Sequence, residues 1–312
     1  MNRPTISLLT LCLLLLVTGI FTTANAWNKA THMVTGAIAY RELMATSPQT
    51  AARVVAILKQ HPDYPSRWAA KLSDPALSDA ERNEYLFMLA ARWADDVRGR
   101  TNPYDRPTWH YVNFVYAPDQ GIARSDSTLA TGENILQAYQ QNRDVLRSHA
   151  PDSSKAIALC WLFHLTGDVH MPLHTTALVD ARFPDGDQGG NRFKIRVMPG
   201  DKTINLHSFW DGMLLGSEDY TSARNLAVQE RQRFPRKQLT QLCENTITAW
   251  AKESFQLAQD TAYRSHTLAT GTDQLGAVLP ADYVATVKPV AARQVALAGY
   301  RLADELLADV RN

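Results

Sequence analysis

Apolar positions along this chain recur every three and four residues, the spacing that lines one face of an α-helix. Met33, Ala37, Tyr40 and Leu43 do so within 30–45, and Leu86, Leu89, Ala90 and Trp93 within 79–93. The same period predicts helices over 127–147 and 153–169, and long amphipathic packing helices over 238–262 and 286–310. β character is sparse. Residues 109–116 read as extended, and 191–197 alternate polar and apolar as half of a short hairpin would. Residues 184–190 between them are rich in turn formers. There is no Gly- or Ser-rich linker and no internal repeat. The pattern predicts a single all-α domain with a small β-hairpin and long functional loops.

The first residues depart from that pattern. Arg3 precedes an apolar stretch from Leu8 to Phe21, and Ala24-Asn25-Ala26 is a small-x-small cleavage motif. The stretch is shorter than the roughly 20 residues a bilayer span requires. Residues 1–26 are therefore expected to be a signal peptide. Its removal leaves 27–312 as the mature domain, with Trp27 first, no membrane attachment, and a periplasmic or secreted location.

Charge then narrows the chemistry. The chain has 32 Lys and Arg against 31 Asp and Glu, and loss of Arg3 makes the two equal. No global positive field recruits a polyanion, so a nucleic acid would have to be held by local chemistry, with metal ions as the evident source of positive charge. Three cysteines exclude a Cys-rich zinc finger. Cys12 leaves with the signal, and Cys160 and Cys243 either form one disulfide or stay as thiols.

Five of the nine histidines stand in local patterns that favour metal ligation. His164 and Asp168 are i and i+4, so they share a helix face, and His207 and Asp211 repeat the spacing. One such pair is commonly a surface hydrogen bond; two copies point to a shared ion. His170 and His174 flank Pro172, which cannot continue a helix. The helix carrying Asp168 should end near Val169 and turn His174 towards a second ion. Asp95 and Asp96 close a helix with Arg98 just beyond, either as a charged helix end with an Arg98–Asp96 ion pair or as part of a site. His110, beside Trp109 on the expected strand, is either a ligand or a buried hydrogen-bonded histidine. Imidazoles and carboxylates without thiolates suit zinc, and the α-amine of Trp27 would complete enough donors for three ions.

These pieces together carry a family resemblance. Trp27 with His32, the Trp93-Ala94-Asp95 run, His110, the segment from His164 through Gly167-Asp168 to His174, and His207 to Asp211 resemble the zinc-dependent single-strand nucleases of the S-one/P-one type. The segment 164–174 is the most specific of them. The resemblance implies a phospholipase C/nuclease P-one-like fold and three zinc ions. One would be held by Asp95, His110, His164 and Asp168, and a second by His174, His207 and Asp211. The third would be held by the α-amine and carbonyl of Trp27, by His32 and by Asp168. An α-amine has a pKa near 8 and can yield its proton to zinc, whereas a peptide nitrogen cannot, so signal removal would complete the centre.

The implied activity is endonucleolytic hydrolysis of single-stranded DNA and RNA to 5′-phosphate products, with 3′-nucleotidase activity on 3′-nucleotides. The enzyme is expected to be a monomer without a stable protein partner. Asp95, Asp168 and Arg98 would carry catalysis, with Arg98 contacting phosphate. His170 would hydrogen bond or pack rather than ligate. Tyr111 would stack on a base. Asn113 stands where fungal members resemble His-Phe-Ile-Asp, which leaves base preference open. Asn191, after Gly189-Gly190, either lines the pocket or merely closes a turn. The alternative is a zinc-dependent phospholipase C, which is similar in fold and in its N-terminal Trp, but its last ligand pair ends in Glu rather than in an Asp such as Asp211. A zinc-storage protein would need no phosphate-binding arginine.

Overall fold

The computed structural model describes residues 27–99 and 101–310; the expected signal peptide, 1–26, lies outside the described residues. In chain order the helices are α1 (Lys29–Thr46), α2 (Pro48–Leu58), α3 (Ala69–Leu72), α4 (Asp79–Asp96), α5 (Ile135–Arg147), α6 (Asp152–Val169), α7 (Leu206–Gly212), α8 (Tyr220–Arg233), α9 (Ile247–Leu257) and α10 (Tyr283–Asp309). The strands are β1 (Phe114–Ala117), β2 (Ile122–Thr128), β3 (Thr176–Leu178), β4 (Lys194–Arg196), β5 (Ile204–Asn205) and β6 (Ala277–Val278). This is the mostly helical fold expected from the apolar period.

Two helices occupy the centre. α1 buries every residue from Ala30 to Tyr40, and α6 every residue from Ala158 to Val169. A helix buried on all sides is a core element, not an amphipathic surface one. α4, α8 and α10 pack around α1, while α2, α4, α5 and α10 pack around α6. Side-chain caps fix where several helices begin. Asn28 accepts from the Thr31 amide at the start of α1, and capping boxes pair Ser78 with Glu81 and Asn134 with Gln137.

Several local expectations change. The helix expected over 127–147 begins only at Ile135, because 127–128 belong to β2 and Asn134 caps α5. Trp109 and His110 are not on a strand. Pro107–His110 form a 3₁₀ turn, favoured by Pro107 at its start, and the strand begins at Phe114. The span 238–262 is broken by 3₁₀ turns before α9 and ends in a π-helical turn at Ala258–Ala262. β structure is richer than one hairpin. β2-β1-β3 and β5-β4-β6 are both three-stranded sheets, with β4–β5 as the expected hairpin. Cys160 is buried, Cys243 is exposed, and neither is disulfide-bonded. Among the described residues no helix is long and apolar enough to cross a membrane.

Candidate metal centre

Each candidate ligand is placed by an identifiable piece of the fold. His32 lies one turn into α1, Asp95 in the last turn of α4, and His164 and Asp168 on successive turns of α6. α6 ends at Val169, as Pro172 requires, and His174 closes a 3₁₀ turn. Parallel pairing of β1 with β3 brings His110 and His174 together. The His174 carbonyl accepts from the Val112 amide at 2.8 Å, and Nδ1 of His174 donates to the His110 carbonyl at 2.5 Å. His207 and Asp211 share a face of α7, which Asn205 caps.

Asp168 is the hub of the first cluster. Its Oδ2 lies 2.9 Å from His110 Nδ1 and 3.2 Å from His164 Nε2, and its Oδ1 lies 3.2 Å from His32 Nε2. Asp95 Oδ1 is 3.8 Å from His164 Nε2. His32 and His164 stack with ring centroids 3.9 Å apart. In the second cluster His174 Nε2 and His207 Nε2 are 3.2 Å apart, and Asp211 Oδ2 is 3.6 Å from His207 Nε2. Backbone carbonyls orient two imidazoles from behind: Ala91 faces His164 Nδ1 at 2.9 Å, and Gly189 faces His207 Nδ1 at 2.6 Å. That leaves each Nε2 turned inward, the usual arrangement of a ligating histidine.

Trp27 is fully buried, and the next residue ties it to the second cluster. The Asn28 amide donates to the Asp211 carbonyl at 3.2 Å. Arg98 donates through Nε to Asp95 Oδ1 at 2.8 Å. Asp96, the alternative partner, is engaged by Arg92 and Lys29. His170 is not in either cluster. Its Nδ1 donates to the Thr166 carbonyl at 2.7 Å and its Nε2 accepts from the buried Arg301 at 2.8 Å.

The electrostatics call for cations. Burial would raise Asp168, yet the imidazoles of His164, His174 and His110 hold its carboxyl well below the ordinary range. Asp211 is pushed well up by burial and by the nearby Asp95 and Asp168 carboxylates. Burial pushes His110 and His207 down to about 3, so both are neutral, the form that ligates. Four ligand atoms here are buried without a hydrogen-bond partner, His32 Nδ1, Asp95 Oδ2, His110 Nε2 and Asp211 Oδ1, while His32 Nε2 and Asp168 Oδ1 have only each other at 3.2 Å. Each orphaned polar atom costs on the order of 1–3 kcal/mol. Several within one cluster fit metal ions far better than a purely structural core, and the N and O donor set suits zinc.

His110 of the first cluster and His174 and His207 of the second line a cleft of 590 Å³, together with Arg98, Tyr111, Asn113, Gln188, Asn191 and Lys194 among others. The three residues expected to meet substrate, Tyr111, Asn113 and Asn191, thus share one cleft with ligand candidates and with Arg98. The S1/P1 Nuclease family profile matches residues 27–310. The chain belongs to this family. It is 31% identical to Endonuclease 4 of Arabidopsis thaliana over 69% of this chain and 74% of that protein. It is 24% identical to Endonuclease 1 of the same plant over 93% and 90%, and 28% identical to Nuclease S1 of Aspergillus oryzae over 42% of each. Membership makes it a hydrolase acting on nucleic acids, in a metal-dependent family whose residue types match these His/Asp groups.

Two glycines matter here: Gly167, which the sequence showed only as part of the His164–Asp168 motif, and Gly189, which it showed in a loop that either lines the pocket or closes a turn. A Cβ on Gly167 would lie 2.6 Å from His32 Nδ1, so only glycine lets that ring reach α6 beside Asp168. Gly189 has φ +61°, and a Cβ there would lie 2.3 Å from the Leu173 carbonyl oxygen. Gly167 lies inside the His164–Asp168 motif, but its spacing says nothing of a ring arriving from α1.

Proposed function

We propose that the mature chain, beginning at Trp27, is a secreted or periplasmic endonuclease with three zinc ions. It hydrolyses single-stranded DNA and RNA to 5′-phosphate products and removes phosphate from 3′-nucleotides, as a monomer. The observation that carries this reading is the convergence of buried His and Asp side chains, several with unpartnered atoms, into two clusters whose His110, His174 and His207 line a cleft together with Arg98. Asp95, His110, His164 and Asp168 would hold one ion, and His174, His207 and Asp211 a second. The α-amine and carbonyl of Trp27, with His32 and Asp168, would hold the third. The Asn28–Asp211 backbone bond supports a Trp27 amine close to the centre. When bound, zinc supplies Lewis acidity, which acidifies an attacking water and offsets charge on the departing 3′-oxygen.

The chain's own residues would do the rest. Arg98, whose Nε donates to Asp95, would bring its guanidinium charge to the non-bridging phosphate oxygens. Tyr111 offers a stacking face, and the Asn113 amide donates and accepts on a base edge. A base within a duplex is already stacked and paired, so only an unpaired base can enter the cleft; this is the physical source of single-strand preference.

The test is zinc content and cleavage of single-stranded DNA and RNA by the chain starting at Trp27, before and after chelation, with phosphatidylcholine as the competing substrate. The expected outcome is three zinc per chain, nucleic-acid turnover lost on chelation and regained with zinc, and no lipid turnover. A second form with one extra residue before Trp27 should lose one zinc and most activity. Turnover that survives complete chelation, or full activity in the extended form, would overturn the zinc or the Trp27 assignment respectively.

A further inference from the structure

The second cluster lacks the long helices that support the first, and what supports it comes from the loop around Gly189-Gly190 and from the chain beyond residue 238, where the sequence shows no motif. Asp187 is fully buried in the loop between β3 and β4. Its Oδ1 accepts from the Leu178 amide at 3.0 Å, and its Oδ2 accepts from the Gly190 amide at 3.0 Å and from the Tyr263 hydroxyl at 2.6 Å. These donors are all neutral, so the carboxyl is spent on holding backbone, not on an ion pair. The loop it holds is wedged between the two histidine segments. Gly189 comes so close to the Leu173 carbonyl, beside His174, that no side chain fits between them. The Gly189 carbonyl faces His207 Nδ1 at 2.6 Å, and the Gly190 carbonyl accepts from the His207 amide at 3.4 Å.

Tyr263 follows the π-helical turn at Ala258–Ala262, and its ring rests on Phe193. A second tyrosine braces the same turn from the other side. The Tyr283 hydroxyl donates to the Ala262 carbonyl at 2.7 Å and accepts from Trp210 Nε1 at 3.1 Å, and Trp210 lies on α7 between His207 and Asp211. The last third of the chain therefore grips the second cluster through its loop and through its helix.

We infer that Asp187, held by Tyr263, is a positioning residue for His207, and that this pair sets how tightly the His174–His207–Asp211 cluster holds its ion. The inference rests on the metal-nuclease reading above. An imidazole fixed through its outer nitrogen is a stronger and better-aimed ligand, and loss of such outer partners weakens metal affinity by about 10–100-fold. Asp187→Asn places an amide donor against one of the donors the carboxylate now accepts from. Tyr263→Phe removes one hydrogen bond and keeps the ring.

The experiment titrates zinc into chelated wild type, Asp187→Asn, Tyr263→Phe and, as a control, Val54→Ala, which thins the buried face of α2 and lines no part of the cleft. Melting temperature is followed in parallel, and the visible spectrum of each cobalt-substituted form reports ligand geometry. Asp187→Asn should weaken one ion by about 10–100-fold and leave the others unchanged, with one component of the cobalt spectrum altered and excess zinc restoring occupancy. Tyr263→Phe should weaken the same ion by less. Val54→Ala should lower the melting temperature without moving any zinc affinity. Zinc affinities in Asp187→Asn equal to wild type, or all weakened alike, would overturn the inference. Should Asp187→Asn fail to fold, unchanged affinity in Tyr263→Phe overturns it. A wild type that takes up no zinc overturns the metal reading itself.

Discussion

His32, Asp95, His164 and Asp168 project from three long helices packed on one another, whereas His174, His207 and Asp211 stand on a 3₁₀ turn and a seven-residue helix. The first four are placed by helix geometry, and His110 joins them from a 3₁₀ turn. A ligand on α6 moves only if the core moves, and the core is close-packed. The second group is placed by single hydrogen bonds to loop carbonyls and by residues far along the chain. The first half of the centre should therefore be robust to surface change and intolerant of any change at its hub, while the second half should loosen first.

The largest effect is expected at the hub. Asp168 lies within 3.2 Å of three imidazoles, so Asp168→Asn should lower single-stranded DNA cleavage by about 10³-fold or more, on the order of 4 kcal/mol of barrier, and release more than one zinc. Steady-state kinetics with metal analysis checks this, and activity within tenfold of wild type would refute the hub role.

A pair of glycine variants separates the halves. Gly167→Ala should push His32 off α6 and cost about 10²-fold in activity, the penalty of a 1 Å misplacement, by emptying a site in the first cluster. Gly189→Ala adds left-handed strain and a contact with Leu173, and should empty the second cluster alone. Zinc counted per chain in each variant decides between them; the same ion lost from both would erase the distinction.

The last effect concerns the stability of the helical scaffold and leaves the chemistry of the centre untouched. His61 stacks on Trp68 and meets Trp93 edge-on, and burial pushes its pKa from 6.5 down to about 4. The unfolded chain takes up that proton first. The stability His61 contributes is therefore full above about pH 6.5 and is lost as pH falls towards 4, up to about 3 kcal/mol. His61→Phe should remove that slope, read as the difference in unfolding free energy between variant and wild type across pH 4–7; a difference that does not change with pH would exclude it.

Legibility followed the same division. α1, α4, α6 and α10 were visible in the apolar period, because helix packing repeats every turn. The His164–Asp168 and His207–Asp211 pairs were visible because i and i+4 share a face whatever the surroundings. The strand expected at His110 was wrong because a β-rich composition did not outweigh Pro107, and the helix start expected at 127 was wrong because 127–128 end the strand β2, which pairs with β1, and Asn134 caps the helix only at Ile135. α2 and α8 passed unread, and Cys160 and Cys243 could not be told from a disulfide pair without their burial.

By itself, the sequence determined the helical class, the side-chain donor types and the His–Asp pairs that share a helix face, since these depend on periods of three to four residues. Only the tertiary structure decided that His32 reaches Asp168 across Gly167, that β1–β3 pairing joins His110 to His174, and that Asp187 and Tyr263 hold the loop behind His207. Those contacts join residues tens of positions apart, and their geometry is set by close packing and by buried polar groups that must find partners, which no local pattern records.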